Sequence, residues 1–488
     1  MQYHSTRDSS RQVSAAQAIA RGLAPDGGLF VPDVLPRLEL EELKALADLD
    51  YPSRAAAIMG KFLEDFSQQE LRTFAAMAYG SNFDDPAIAP VRFLDDETAV
   101  LELWHGPTCA FKDMALQMLP HLLTASLVKT GEARKVCILV ATSGDTGKAA
   151  LEGFRDVPGT GIVVFYPRDG VSHMQKLQMV TQEGKNVCVS AVAGNFDDAQ
   201  SGVKAIFGDR AFADALSQKG WFLSSANSIN WGRLLPQIVY YISAYCDCVN
   251  AGRLNLGEEL DFCVPTGNFG NILAGWYAKE MGLPAGRFLC ASNANNVLTE
   301  FLETGVYDRN RPFHTTISPS MDILVSSNLE RLLHAQCGDK ATSGYMSDLS
   351  RTGRYALDDA AFTAIRRDFY GGCCDDAATR DEIRRVFSAH NYLMDPHTAV
   401  ASHVLCRYRD KEGCRPTVLV STASPFKFAA DVLSALGRPQ AQEPLAALAS
   451  ASGMPVPAPL AGLETRPVRF AGCVEADGLR DLISGFLA

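Results

Sequence analysis

The stretch "KVCILVATSGDTGKAALEGF", Lys135–Phe154, decides the fold. "KVCILVAT", Lys135–Thr142, is a nearly unbroken apolar run and reads as a strand buried on both faces. "GKAALEGF", Gly147–Phe154, reads as a helix, and "TSGDTG", Thr142–Gly147, is the turn between them. The alternation repeats downstream. "GIVVFYP" (Gly161–Pro167) is a strand and "SHMQKLQMVTQ" (Ser172–Gln182) a helix. "NVCVSAV" (Asn186–Val192) is a strand and "FDDAQSGVKAIF" (Phe196–Phe207) a helix. The theme resumes at "LDFCVPTG" (Leu260–Gly267), "RFLCASNA" (Arg287–Ala294) and "PTVLVSTAS" (Pro416–Ser424). Strands alternating with helices imply an α/β fold with parallel sheet covered on both faces.

Outward from that core, residues 1–92 read as a helical N-terminal unit. It carries a Pro/Gly turn cluster, "GLAPDGGLFVP" (Gly22–Pro32), and apolar residues at helical spacing in "EELKALADL" and "AAAIMGKFLEDF". Residues 93–255 then form a smaller α/β lobe and 256–437 a larger one. Between about 305 and 395 the strand signal fades into charged helical segments, read as a helical insertion. Residues 438–488 open as an Ala/Pro-rich linker and close with a short strand, "RPVRFAGCV", and a helix.

Composition removes several classes of function. The chain has 488 residues, 45 basic against 56 acidic, for a net charge of −11. No basic stretch is present, so nucleic acid is not an expected partner. No apolar run reaches the roughly 18 residues of a membrane span. Thirteen cysteines form no CxxC pair and no zinc-site spacing, so no metal is expected. Reduced thiols and a cytoplasmic location are the expectation.

In open parallel sheets, ligands sit at the carboxyl ends of strands. The loops at those ends are polar and rich in glycine here. "TSGDTG" offers hydroxyls and backbone N–H groups at a helix start, an anion seat. It is not a P-loop, because that motif needs Gly at 142 and Ser or Thr at 149, where the chain has Thr142 and Ala149. "GNFGN", Gly267–Asn271, is a second glycine loop that opens a helix. "STASPFKF", Ser421–Phe428, adds hydroxyls. "SSANSINWGRLLPQIVYY", Ser224–Tyr241, places Asn227, Ser228 and Arg233 before and within the start of an apolar helix, and arginine grips phosphate bidentately. Taken singly, each of these also reads as an ordinary turn or N-cap, and Asp395 in "DPHTAV" reads as an N-cap with His397 a structural hydrogen-bonder. "HGPTCAFKDMALQ", His105–Gln117, sets Lys112 between a Gly-Pro turn and a helix. A lysine followed by several anion-binding loops fits pyridoxal 5'-phosphate, with the lysine as the Schiff-base amine and a glycine loop on the phosphate.

These motifs, with "STRD" at Ser5 and "GLAPDGGLFVP", resemble threonine synthase in the same order, across residues 5–428. With the motif already at Ser5, no cleaved presequence is expected. The resemblance implies a fold-type II pyridoxal-phosphate enzyme with two open, mostly parallel sheets flanked by helices. It identifies Lys112 with the Schiff-base lysine, and Gly267, Asn268, Phe269, Gly270 and Asn271 with the loop on the cofactor phosphate. Thr422 matches the hydroxyl facing the pyridine nitrogen. Asp145 stands where relatives often carry an asparagine beside the cofactor's 3'-oxygen, and an ionised aspartate accepts hydrogen bonds but donates none. Thr146, Asn227, Ser228 and Arg233 match residues that hold a substrate phosphate. Thr142 and Ser143 lie where the substrate carboxylate is expected. One position departs from the family: Ser424 stands where a histidine is usual.

The implied reaction converts O-phospho-L-homoserine and water to L-threonine and phosphate, by γ-elimination and β-addition, as the last step of threonine biosynthesis. A phospho-lyase releasing a 2-keto acid, or a non-catalytic binding protein on the same scaffold, are the alternatives. A monomer or homodimer is expected.

Overall fold

The computed structural model describes residues 1–168, 171–194, 196–475 and 477–488. Tyr3–Ser5 (β1) and Phe30–Pro32 (β2) pair antiparallel ahead of helices Leu40–Ala47, Tyr51–Gly60 and Gln68–Ala78. The last two helices start on side-chain caps. Asp50 accepts from the Ser53 N–H, and Ser67 forms a reciprocal capping box with Glu70. Tyr3 and Phe62 place their rings 5.5 and 5.7 Å from that of Trp231, so the N-terminal unit is fastened to the start of helix Trp231–Asn250.

Val91–Phe93 (β3) and Thr98–Glu102 (β4) come after these helices, then Lys135–Ala141 (β5), Thr160–Pro167 (β6), Val187–Val192 (β7) and Trp221–Ser225 (β8). Next come Leu260–Pro265 (β9), Ala285–Ser292 (β10), Val306–Asp308 (β11), Arg354–Ala356 (β12), Phe369–Cys373 (β13), Thr417–Ser421 (β14) and Cys473–Val474 (β15). Two large sheets result. The first, in the order β15-β7-β6-β5-β8, is parallel throughout. The second, in the order β13-β10-β9-β14-β4-β3, is parallel except for β3. This is the expected α/β class. The continuous apolar run of β5 has a direct cause: Val136, Ile138 and Val140 enter one core, while Cys137, Leu139 and Ala141 enter another on the opposite face.

Three boundaries differ from expectation. β4 lies near the start of the span read as the smaller lobe, yet it pairs with β14 in the second sheet, Val100 opposite Leu419. All five of its residues are buried, so it is a central strand, and five residues carry no mark of which sheet they join. The segment read as a helical insertion contains β13 on the edge of the second sheet, besides the small β11–β12 ladder. Its sequence, "FYGGC", lacks a strand signal because Gly371 and Gly372 must be bare: a Cβ there would lie 3.0 Å from the Thr299 carbonyl and 2.6 Å from Val404. The Ala/Pro-rich linker holds a helix, Pro444–Ser452, anchored by buried Leu448, and "RPVRFAGCV" yields only the two residues of β15.

Candidate active site

β5, β9 and β14 run out at Thr142, Thr266 and Thr422, and the loops that leave them converge. At the first loop, the Thr142 hydroxyl oxygen accepts from the N–H groups of Gly144 (3.0 Å) and Gly147 (2.9 Å), which folds the turn onto helix Asp145–Phe154. Gly144 has φ +137°, and a Cβ there would strike Gln175 at 2.5 Å. Gln175 in turn donates to Asp145 Oδ1 at 2.9 Å. Ser143 and Thr146 are half-buried on this turn.

The lysine segment is zipped to the third loop. Phe111 donates its N–H to the Thr422 carbonyl at 2.8 Å, Ala110 and Ala423 form an antiparallel bridge, and Ser424 donates to the Cys109 carbonyl at 3.1 Å. The strips that carry Lys112 and buried Thr422 therefore run side by side. Asp113 shapes the turn before them: its two carboxylate oxygens take the Thr108 N–H (2.8 Å) and hydroxyl (2.7 Å). Burial pushes the Asp113 carboxyl up to about 6 against those hydrogen bonds. Cys109 is an inert packing residue, its thiol raised to about 12 by burial.

The Lys112 amine lies 3.8 Å from Asp145 Oδ2. Burial pushes the amine down to about 8, and the Asp145 charge only partly offsets this. Asp145 itself is buried, which alone raises its carboxyl. Lys427 and Lys112, with hydrogen bonds from Lys427 and Gln175, overcome burial and hold it well below the usual carboxylate range. Lys427 Nζ sits 2.7 Å from Asp145 Oδ1 and donates to the Thr108 carbonyl at 3.0 Å. The Ser320 hydroxyl adds a donor to Asp145 Oδ2 at 3.3 Å. Lys427, Gln175 and Ser320 were not singled out by sequence. His397, read as structural, is held by Asp395 at Nδ1 (2.7 Å), and its Nε2 accepts the Ser320 N–H at 3.2 Å. Asp395 does cap its helix.

The second glycine loop opens helix Gly270–Met281. Phe269 takes a left-handed φ of +60°, a strained choice for a non-glycine residue. At Gly267 a Cβ would approach the Ser320 carbonyl to 2.7 Å. Asn271 Oδ1 accepts from the hydroxyls of Tyr240 (2.5 Å) and Tyr241 (2.7 Å), which orients the amide and leaves its buried Nδ2 without a partner among the described residues. Asn268 is exposed, and its carbonyl rather than its side chain faces the protein, accepting from the Asn328 N–H at 3.1 Å.

Arg233 is buried and makes no ion pair among the described residues. Its Nη1 donates to the Ala226 carbonyl at 2.7 Å and its Nη2 to the Thr146 hydroxyl at 3.4 Å. Burial lowers the guanidinium to about 10, so it stays charged at neutral pH. Beside it, Asn227 Oδ1 is buried without a partner and Ser228 is half-buried. Among the described residues no group of three or more His, Cys, Asp or Glu could hold a metal ion.

A family model for the threonine synthase N terminus matches residues 2–79, one for pyridoxal-phosphate dependent enzymes matches 99–424, and one for the threonine synthase C-terminal region matches 398–483. The threonine synthase of Pseudomonas aeruginosa is 40% identical over 440 residues, 88% of this chain and 89% of that one. The chain belongs to the threonine synthase family. Among solved structures, pyridoxal-phosphate-bound threonine synthase from Brucella melitensis superposes with a TM-score of 0.88 at 37% identity, covering 100% of this chain and 98% of that one. Human threonine synthase-like 1 is 42% identical over 444 residues, and the match covers 88% of this chain but only 59% of that longer protein.

Proposed function

We propose that this chain is a threonine synthase, which binds pyridoxal 5'-phosphate through Lys112 and converts O-phospho-L-homoserine and water to L-threonine and phosphate. One observation carries the reading: a buried lysine lies among loops that leave a buried amide donor, Asn271 Nδ2, without a partner and a buried arginine, Arg233, without an ion pair among the described residues. The residues present fit the cofactor. Gly267 and Gly270 keep the second loop bare, Asn271 Nδ2 is an orphaned donor, and the loop stands at the N-terminus of a 12-residue helix. Lys112 would hold the cofactor covalently, Gly267–Asn271 its phosphate, Thr422 its ring nitrogen, and Asp145 would stand beside its 3'-oxygen.

When bound, the cofactor supplies an electron sink for charge developing at the substrate Cα. The chain supplies the rest. The Lys112 amine, neutral in a useful fraction near pH 7 to 8, takes the proton from Cα and later moves the proton at Cβ. Arg233 and Thr146, with Asn227 and Ser228, grip the γ-phosphate before and as it leaves. Thr142 and Ser143 receive the substrate carboxylate. Asp145 is kept ionised by Lys427, so it accepts and does not donate. We also assign the protein to the cytoplasm and to the last step of threonine biosynthesis. Its thirteen cysteines are all free, as thiols are in reducing compartments.

The test is incubation with O-phospho-L-homoserine, measuring threonine and phosphate together. Equal amounts of both support the assignment. Phosphate with 2-oxobutyrate and no threonine assigns a phospho-lyase instead, a reading that Ser424 in place of the usual histidine keeps specific to this chain.

A further inference from the structure

Arg331 is fully buried, and like Arg233 it makes no ion pair among the described residues. Buried charges are ordinarily paired. Its guanidinium donates to three places at once: the Phe30 carbonyl through Nε (3.0 Å), the Ile229 carbonyl through Nη2 (2.7 Å), and Asn328 Oδ1 through Nη1. It therefore ties the N-terminal unit and the Asn227–Ser228 loop to Asn328.

Asn328 precedes helix Leu329–Thr352 as its N-cap, yet its side chain caps nothing. It is fully buried, its oxygen is taken by Arg331, and its Nδ2 has no partner among the described residues. That orientation is fixed, because only the oxygen can accept from a guanidinium. The free Nδ2 faces the second glycine loop: a Cβ on Gly270 would lie 3.3 Å from it and 3.8 Å from Ser228 Cβ. The Asn328 backbone N–H already holds the Asn268 carbonyl at 3.1 Å.

We infer that Asn328 is a further phosphate-binding residue of this site, donating through Nδ2 to a phosphate monoester between the Gly267–Asn271 loop and Ser228, with Arg331 as the positioning residue that aims it and supplies charge from behind. Cofactor and substrate both carry that chemistry. The inference rests on the proposed function for its ligands and on the orphaned donor for its location.

Asn328→Asp tests it. The substitution replaces the donor by a carboxylate oxygen of the same shape and leaves Arg331 beside it as an ion-pair partner, so the fold is kept. Inorganic phosphate is the probe that needs no activity: it is expected to raise the Tm of the unmodified apoprotein and not that of the variant. Pyridoxal 5'-phosphate and phosphate-free pyridoxal are then titrated by visible absorbance. A rise of about tenfold or more in the half-saturating concentration for the phosphorylated form alone, the loss expected for one charged hydrogen bond, assigns the cofactor phosphate. An unchanged cofactor titration with KM for O-phospho-L-homoserine raised about tenfold at constant kcat assigns the substrate phosphate by the same scale. Unchanged phosphate response, cofactor titration and KM overturn the inference, as does equal weakening of pyridoxal. Asn328→Ala is judged on the same readouts should the aspartate variant not fold. A phosphate response lost in the variant, from a protein that makes no threonine, sinks the proposed function and leaves this seat standing.

Discussion

Two lysines reach one carboxylate from two strips of chain zipped side by side, and they are treated oppositely. Lys427, on the strip after β14, lies 2.7 Å from Asp145 Oδ1 and also donates to the Thr108 carbonyl. Lys112, on the facing strip, lies 3.8 Å from Asp145 Oδ2 and 4.6 Å from the Phe111 ring centroid. Both are buried. The difference is satisfaction, not exposure. The lysine with close partners serves as counter-ion, while the one without them has its amine driven down to about 8. A reactive amine is made here by burying it beside a carboxylate whose attraction does not offset the burial and is opposed by the charges of Arg233 and Lys427.

Replacing Lys112 with Ala breaks the comparison at its reactive end and should have the largest effect. Turnover is expected to fall by about a thousandfold or more, the scale of nucleophile removal. The visible absorbance of lysine-bound cofactor should disappear, and a band that persists would assign the attachment to another amine.

Lys427→Met comes next. It strips Asp145 of its close partner, and breaking a buried pair costs about 3–5 kcal/mol, so Tm should fall by many degrees. It also removes a positive charge that holds the Lys112 amine down. An amine attacks a carbonyl only when deprotonated, so cofactor uptake by the unmodified apoprotein should quicken with pH and level off above about 8. In Lys427→Met that midpoint should move up, which stopped-flow absorbance reads directly. Adding Asp145→Asn discharges the stranded carboxylate and should restore much of the lost stability. An unchanged midpoint and Tm in Lys427→Met would mean the two lysines do not divide the work as described.

Much of this was legible in the sequence. β5, β6, β7, β9, β10 and β14 announce themselves as apolar runs because both faces of each sheet are covered, and the polar loops after three of them mark the cleft. Lys112, Asp145, Thr146, Arg233, Asn271 and Thr422 were named from motif order, and their roles toward cofactor and substrate belong to the proposal. The residues that escaped are fixed by particular contacts that no motif spacing encodes, such as Gln175 and Ser320 on Asp145. Lys427 is 319 positions from the carbonyl it holds. Its setting in "SPFKF" gives no local signal, because buried phenylalanines on either side do not decide where the side chain between them points. Asn328 carries no signal of its own in the sequence, because which atoms of an amide are used is decided by a neighbour such as Arg331. β13 was hidden by its glycines, chosen for close packing at the expense of strand signal.

Ser424 gives the smallest and most local test, on the same strip as Lys427. Its hydroxyl accepts the Phe426 N–H at 3.3 Å and caps the turn Pro425–Phe428, while its backbone N–H, which any residue keeps, makes the link to Cys109. Ser424→Ala therefore removes a cap and nothing else in the strip. A stability loss of about 1 kcal/mol is expected, with kcat nearly unchanged and the pH midpoint of cofactor uptake unmoved. If turnover instead falls steeply while Tm holds, Ser424 touches the substrate. The residue that replaces the family's usual histidine would then belong to the reactive side of the comparison, and the counter-ion strip would carry chemistry as well as charge.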